Sequence, residues 1–479
     1  MRHFSGLESF RRARILFGLF LLLLAACGGD GGKEETRFVL VVGPASLRQG
    51  EVAAFTALTL GPQGGQVADP TLSWAVEPAE AGLITAEGRF VGYRPGPAEI
   101  VATASGLSDR LPVIIAPRQG LRGGFELVGR GPVTDRFTSD LWLHGRFGFT
   151  GTWLGRDIEV PERLPGDRLL AWDLRDPRVP LLTDTVAVDA RTVNDVKIRT
   201  DGTLAVLTHE GSADGQNGIT LLDLTEPLRP AVLTRFSAGL ENGVHNVWIE
   251  DDFVYAVVDG EGAGLRILDL SGVTDPLRPA PPVVVASFAA ETSFLHDVLV
   301  RDGLAFLSHW DAGLIILDVG HGIAGGSPRT PVEVSRLATA GGQTHNAWFW
   351  PAAGYVFVGE EDFDTPGVLH VVDVRDLFRP REVATFAVPG ETPHNFWLDE
   401  ERGILYAAWY TAGVRAIDVS GELLGELEKQ DREVAAAVYG SDAGCRSLDG
   451  TCAWAPQLHE GLVHVSDLNT GLWVFRPDF

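Results

Sequence analysis

Thr344-His345-Asn346-Ala347-Trp348-Phe349-Trp350 is the stretch whose setting decides the fold, because it recurs along the chain at a nearly constant interval. Earlier copies read Val244-His245-Asn246-Val247-Trp248 and Leu295-His296-Asp297-Val298, and a later one reads Pro393-His394-Asn395-Phe396-Trp397. From His245 to His296 is 51 positions, and the next two intervals are 49 each. Isolated functional histidines have no reason to keep such spacing. A period of about 50 residues, in alternating apolar sequence broken by Gly and Pro, predicts an all-β fold of the β-propeller type.

Working outward, each copy is followed by two further apolar strands. In one repeat these are Phe253-Val254-Tyr255-Ala256-Val257-Val258 and Gly264-Leu265-Arg266-Ile267-Leu268-Asp269. The run ending in Asp returns at Asp173, Asp223, Asp318, Asp373 and Asp418, and once more at Gly471-Leu472-Trp473-Val474-Phe475, where Arg476 stands in place of Asp. Seven copies predict seven blades. A short acid repeated in this way suits a side chain that accepts backbone N–H groups in the turn before a fourth strand. The chain stops at Phe479 just after a third strand, whereas Gly124-Phe125-Glu126-Leu127-Val128-Gly129 precedes the first repeat. That piece is expected to close the ring as the outer strand of the last blade, which removes an exposed edge.

On these motifs, residues 121–479 resemble the LVIVD-repeat family, whose repeat joins a His-Asp or His-Asn dipeptide to a Leu-x-Ile-x-Asp run. The resemblance implies a propeller in the bacterial cell envelope, without a single shared activity. More distantly the repeats look like the selenium-binding proteins with methanethiol oxidase activity.

Ahead of the repeats, Arg11, Arg12 and Arg14 precede an apolar run from Ile15 to Ala26, too short to span a bilayer and of the length of a secretory signal. Leu24-Ala25-Ala26-Cys27 looks like the lipobox of bacterial lipoproteins, so residues 1–26 read as a signal peptide and Cys27 as the lipidated residue. Gly28 after it favours the outer membrane where the host is Gram-negative. Residues 27–36 form a Gly-rich tether. From 37 to 117, short alternating strands around Trp74 and glycines at Gly88, Gly92 and Gly96 suit a β-sandwich. This segment resembles the group 2 bacterial Ig-like domain, which implies a spacer or an adhesive module.

Without the leader the chain keeps 35 basic and 63 acidic residues. An excess of that sign argues against nucleic acid and against anionic lipid surfaces, leaving the lipid anchor as the membrane contact. Cys445 and Cys452 are the cysteines left after Cys27, and in an exported chain they are expected to pair as a structural disulfide.

Aligning the repeats gives a first column of Ser139, Asn194, His245, His296, His345, His394 and Trp454, and a second of Asp140, Asp195, Asn246, Asp297, Asn346, Asn395 and Ala455. A position just before each inner strand is brought to one mouth of the central channel. The loops after the second strands reach the same face with Trp153, His209, Glu210, Asp259, Glu261, His309, Trp310, Asp311, Glu360, Glu361, Asp362, Trp409 and Tyr410. His245, His296, His345 and His394, with Asp195, Asp297, His209, Glu210, His309 and Asp311, are therefore candidates for a metal or ligand site, a divalent transition metal being the cofactor such a set would take. The competing reading has each His and its neighbour bonding to the next blade, and a third makes the rim a metal-free pocket. The expected function is a binding module for an extracellular or periplasmic protein or glycan, with a metal-dependent oxidase or hydrolase as the alternative. No Gly-x-Ser-x-Gly, P-loop or dinucleotide fingerprint occurs. Trp142, Trp248, Trp348 and Trp397 are expected to pack between blades.

Overall fold

The computed structural model describes residues 36–479 apart from 156–159, 161, 261, 274–279 and 291–293. The leader, Cys27 and Glu261 lie outside the described residues. The chain divides into two compact units, one of residues up to Gln119 with Leu424–Asp431, the other of Gly120–Leu423 with Arg432–Phe479. No helix among the described residues is long and apolar enough to cross a membrane.

The first unit is all-β. Phe38–Val42 pairs with Thr56–Leu60, a second sheet runs Ser46–Arg48, Leu107–Ala116, Gly96–Ala104, Ser73–Glu77, and a third runs Val52–Ala54, Arg89–Gly92, Gly82–Ile84. Their inward side chains share one core, in which Phe55, Phe90, Ile100 and Ile115 are buried and Phe55 meets Phe90 edge-on at 5.8 Å. Full burial of one such side chain contributes about 1.5–3 kcal/mol. Gly88 turns the chain at φ +78°, and a Cβ there would stand 2.3 Å from the Phe55 carbonyl oxygen, so glycine is required.

The second unit is a succession of antiparallel sheets whose strands pair in chain order. Phe137–His144, Phe147–Trp153, Arg168–Asp173 and Leu181–Ala187 make the first. Later sheets begin with the inner strands Val196–Ile198, Val244–Glu250, Asp297–Arg301, Thr344–Trp350 and Phe396–Asp399. The last joins Ala453–His459, Leu462–Asp467 and Gly471–Pro477 to Phe125–Pro132, which comes from the start of the unit and pairs antiparallel with Gly471–Pro477. Phe125 seals this seam against Phe475 and Phe479 at 6.0 and 5.9 Å. Each inner strand packs on the next, and Ala453–His459 packs on Phe137–His144, so the inner strands form a closed ring. The unit is a β-propeller.

Strand alternation explains how the sheets adhere. Along Phe253–Val258, Val254, Ala256 and Val258 pack on Leu204, Val206, Ile219 and Leu221 of the preceding sheet. Tyr255 and Val257 point the other way, onto Val298, Val300, Leu307 and Ile315 of the following sheet. A middle strand is therefore apolar on both faces, which is why its sequence reads as a continuous hydrophobic run.

The repeated acids close the turns into the outer strands. Asp173, Asp223, Asp269, Asp318, Asp373 and Asp418 each accept the backbone N–H two residues on, at 2.8–3.0 Å. Cys445 and Cys452 form a disulfide, and Asn469 donates to the carbonyls of Gly444 and Gly450 within the same loop.

A histidine-rich mouth as the candidate functional site

Neighbours on a regular strand face opposite ways, yet both columns of the repeat reach the ring's axis. The reason is a bulge. Pairing of Val244–Glu250 with Phe253–Val258 skips from Val244 to Asn246, and the same skip leaves out His345 and Trp454 in their strands. An unpaired extra residue re-aims the side chains on either side of it. His245 consequently lies against His296 while Asn246 lines the channel.

The first column forms a continuous aromatic arc. Ring centroids are 4.4 Å apart from His245 to His296, 4.1 Å to His345, 4.3 Å to His394 and 4.2 Å to Trp454. Two edges of these rings do different work. His296 Nδ1 donates to the carbonyl of His345 at 3.0 Å, and His394 Nδ1 to that of Trp454 at 2.7 Å. Asn194 does likewise to the carbonyl of His245 at 3.0 Å. These three first-column side chains thus bond to the backbone of the next sheet, and since a carbonyl only accepts, the proton of His296 and His394 sits on Nδ1.

Carboxylates stand over the arc. His245 Nδ1 lies 2.9 Å from Glu210 Oε1, and Glu210, His245 and Asp259 form one close group. Burial opposes charge on His245, but the Glu210 hydrogen bond and charge, with Asp259 and Glu361 beyond, lift it to about 9. His296 and His345 are pushed well below the ordinary imidazole value, first by burial and then by neighbouring histidines, and burial takes His394 down to about 4. One imidazolium and three neutral imidazoles therefore share the mouth at neutral pH. Glu361, raised to about 7 by burial, accepts a hydrogen bond from the Tyr410 hydroxyl.

Two aromatic residues complete the mouth from strained backbone. Trp310 and Tyr410 have φ of +31° and +41° in equivalent loops, where non-glycine residues are uncommon. Trp310 stacks on His296 at 5.4 Å, and Tyr410 meets His394 at 4.9 Å. Phe363, 66% exposed, extends the lip at 5.4 Å from Tyr410. Strain of this kind persists where surroundings over-determine it, and it gathers at binding sites.

Deeper in the channel the second column lines a cavity of about 50 Å³ with Asp140, Asn246, Asp297, Asn346 and Asn395, room for one or two water molecules. Lys197 is buried between Asp140, 2.7 Å away, and Asp195. Burial opposes ionisation of Asp140, yet Lys197 holds it below the usual carboxylate range, while burial drives Asp195 up. Asp195 also accepts from the Val247 N–H of the next sheet at 2.9 Å. Below this layer the tryptophans pack across the axis, with Trp142 meeting Trp248 at 5.5 Å and Trp397 at 5.9 Å. They line the same cavity. Trp142, Trp248 and Trp397 also pack on cores shared by adjacent sheets, as the sequence led one to expect, and Trp348 meets Trp397 of the next sheet at 4.9 Å.

Of the candidate residues, the structure brings together His245, His296, His345, His394 and Glu210. Asp195 and Asp297 lie in the channel layer rather than with the imidazoles. His209 is buried near the charges of Arg235, Asp189 and Asp214 and held at about 4 by burial. His309 accepts from the Ala290 N–H at 3.4 Å, and Asp311 is exposed. Glu361, Asp259 and Tyr410 stood among the loop residues without being singled out as ligands. Their common register after the second strand of each repeat is the signal that marks them.

No family model matches the chain, and no curated protein matches it. Among solved structures, it is similar to the β-propeller domain of Cps50 (Swd1) from Myceliophteria thermophila, at 11% identity and TM-score 0.49 over 73% of this chain and 98% of that one. It is also similar to the computationally designed Ika8 protein, at 11% identity and TM-score 0.46 over 74% of this chain and 100% of that one. Both likenesses are below the level that bears on function, and the fold rests on the closed ring of sheets described above.

Proposed function

We propose that this chain is a cell-envelope lipoprotein, acylated at Cys27 and held at the outer membrane, in which an Ig-like spacer over 37–117 carries a seven-bladed LVIVD-repeat propeller over 121–479. The propeller works as a binding module for an extracellular or periplasmic protein or glycan. One observation carries the reading: a single mouth gathers four imidazoles, Glu210 and Glu361 inside an aromatic lip of Trp310, Tyr410 and the exposed Phe363. Apolar rings around a few convergent polar groups are the usual make-up of a recognition site. The lipobox sequence, the acidic balance and the Cys445–Cys452 disulfide support an oxidising, extracytoplasmic setting.

Two experiments test this. Fatty-acid labelling in a bacterial host is expected for the full chain and lost in Cys27→Ser; equal labelling of both removes the anchor. A photo-crosslinking residue at Phe363 is expected to capture envelope protein or glycan in living cells, whereas one at Val283, exposed on an outer strand, is not. Identical products from both positions, or none from Phe363, would remove the mouth from the proposal. The alternative, a metal-dependent enzyme at this mouth, is favoured by the close grouping of His296, His345 and Glu361.

A further inference from the structure

The mouth holds two groups of potential ligands, and they differ in what already occupies them. In the Glu210, His245 and Asp259 group, the His245 Nδ1 edge is engaged with Glu210 at hydrogen-bond distance, 2.9 Å. In the other, one ligand atom from each of His296, His345 and Glu361 lies within 4.8 Å of the other two. His345 Nε2 and Glu361 Oε2 are 3.7 Å apart, beyond a hydrogen bond.

Two residues of this second group, His296 and Glu361, have the surroundings that metal ligands require, whereas His345 Nδ1 is buried without a hydrogen-bond partner among the described residues. His296 donates Nδ1–H to the His345 carbonyl, which fixes its tautomer and leaves Nε2 with a lone pair and no hydrogen bond among the described residues. A ligating imidazole characteristically gives its other N–H to a carbonyl or carboxylate in this way. Glu361 has one oxygen oriented by the Tyr410 hydroxyl, and Oε2 faces His345. Ligands about 2.0–2.1 Å from a tetrahedral ion stand roughly 3.3 Å from one another, so the His345–Glu361 gap closes with a shift of a few tenths of an ångström. Nitrogen and carboxylate donors in a mixed set suit zinc and its neighbours rather than calcium or magnesium.

We propose that His296 Nε2, His345 Nε2 and Glu361 Oε2 bind one divalent transition-metal ion of the zinc type, with its open position turned toward the aromatic lip. The inference rests on the mouth being the binding face, and it names what that face offers: a metal to which a partner's carboxylate or imidazole adds the fourth ligand. Tyr410 is a positioning residue, since it acts on the ion through Glu361.

The test uses mature protein made without a histidine tag, stripped with chelator and titrated with Co2+ and Zn2+ alone. The expected result is one ion per chain, with a Co2+ visible spectrum of mixed nitrogen and oxygen ligation and a raised melting temperature with Zn2+. His345→Ala and Glu361→Gln are expected to abolish this, and Tyr410→Phe to weaken it about 10- to 100-fold. His464→Gln, at a buried histidine of the last sheet away from the mouth, is expected to bind as wild type. Circular dichroism separates lost binding from lost folding, and the near-isosteric Glu361→Gln keeps the test open should His345→Ala misfold. Wild-type protein that takes up no metal, or uptake that Glu361→Gln retains, overturns the proposal. Phe363 crosslinking that persists in stripped protein while no metal binds would defeat this inference and spare the binding module. Metal uptake without any crosslink would do the reverse.

Discussion

Two groups of ionisable side chains lie along one axis and are finished in opposite ways. In the channel, Lys197 sits between Asp140 and Asp195, and Asp195 spends its other oxygen on the Val247 N–H. Each of these three charges meets a partner within the fold. At the mouth, His296 and His394 satisfy the backbone through Nδ1 and keep Nε2 for something else, while Glu361 points its second oxygen at His345 Nε2 from 3.7 Å, beyond a hydrogen bond. The lesson concerns repeats: copying one residue into several sheets does not make it merely structural, because an imidazole has two edges and can lock the ring with one of them.

The comparison breaks first, and with the largest effect, at Lys197. Lys197→Met leaves two acids buried without a counter-charge and is expected to cost about 3–5 kcal/mol in urea unfolding of the propeller. Adding Asp140→Asn and Asp195→Asn should recover most of that. A Lys197→Met cost below about 1 kcal/mol would mean the channel group is not closed on itself.

Acid should act on buried neutral histidines, and His464 isolates the effect away from the mouth. Burial, then the nearby His459, holds it down to about 3. A folded value below the unfolded one means the fold favours the neutral ring, so the contribution is complete above about 6.5 and is lost as pH falls toward 3. Within that window His464→Gln is expected to flatten stability against pH by up to about 1.4 kcal/mol per unit. An unchanged slope would show that His464 reaches solvent.

The disulfide ranks next. Cys445→Ser with Cys452→Ser opens a loop with a sequence separation of 7, and the chain-entropy estimate for so short a loop is about 2 kcal/mol. Calorimetry of the double variant reads this directly, and a cost near zero would mean that the hydrogen bonds from Asn469 and Arg163 are enough to hold the loop. At the far end of the scale stands Arg178, paired with Asp176 at 2.8 Å but 75% exposed. Arg178→Ala is expected to leave the melting temperature unchanged within measurement error, and a clear loss would sink the claim that burial, not pairing, sets these energies.

Several features of the fold were legible in the residues. The spacing of the His dipeptides marks the inner strands, the repeated acids mark the turns that Asp173 to Asp418 close, and the short run near Phe125 is the strand that pairs with Gly471–Pro477. The mouth was legible only as a set of loops and columns. Nothing in the sequence distinguishes Glu361, oriented by Tyr410, from Glu360 beside it, because the difference lies in which side chain of another sheet comes near. The crossing of Trp142 to Trp248 and Trp397 was hidden for the same reason, since it joins sheets that are not neighbours along the chain.

By itself the sequence determined periodicity, strand order and the chemical content of each rim position, since these depend on local alternation and turn chemistry repeated in register. Only the tertiary structure decided which edge of each imidazole faces inward and which carboxylate meets it. That choice is made by the bulges at His245 and His345 and by closure of the ring, which bring residues from separate sheets within a few ångströms. Distances between such residues are set by packing of whole sheets, and no run of neighbouring residues encodes them.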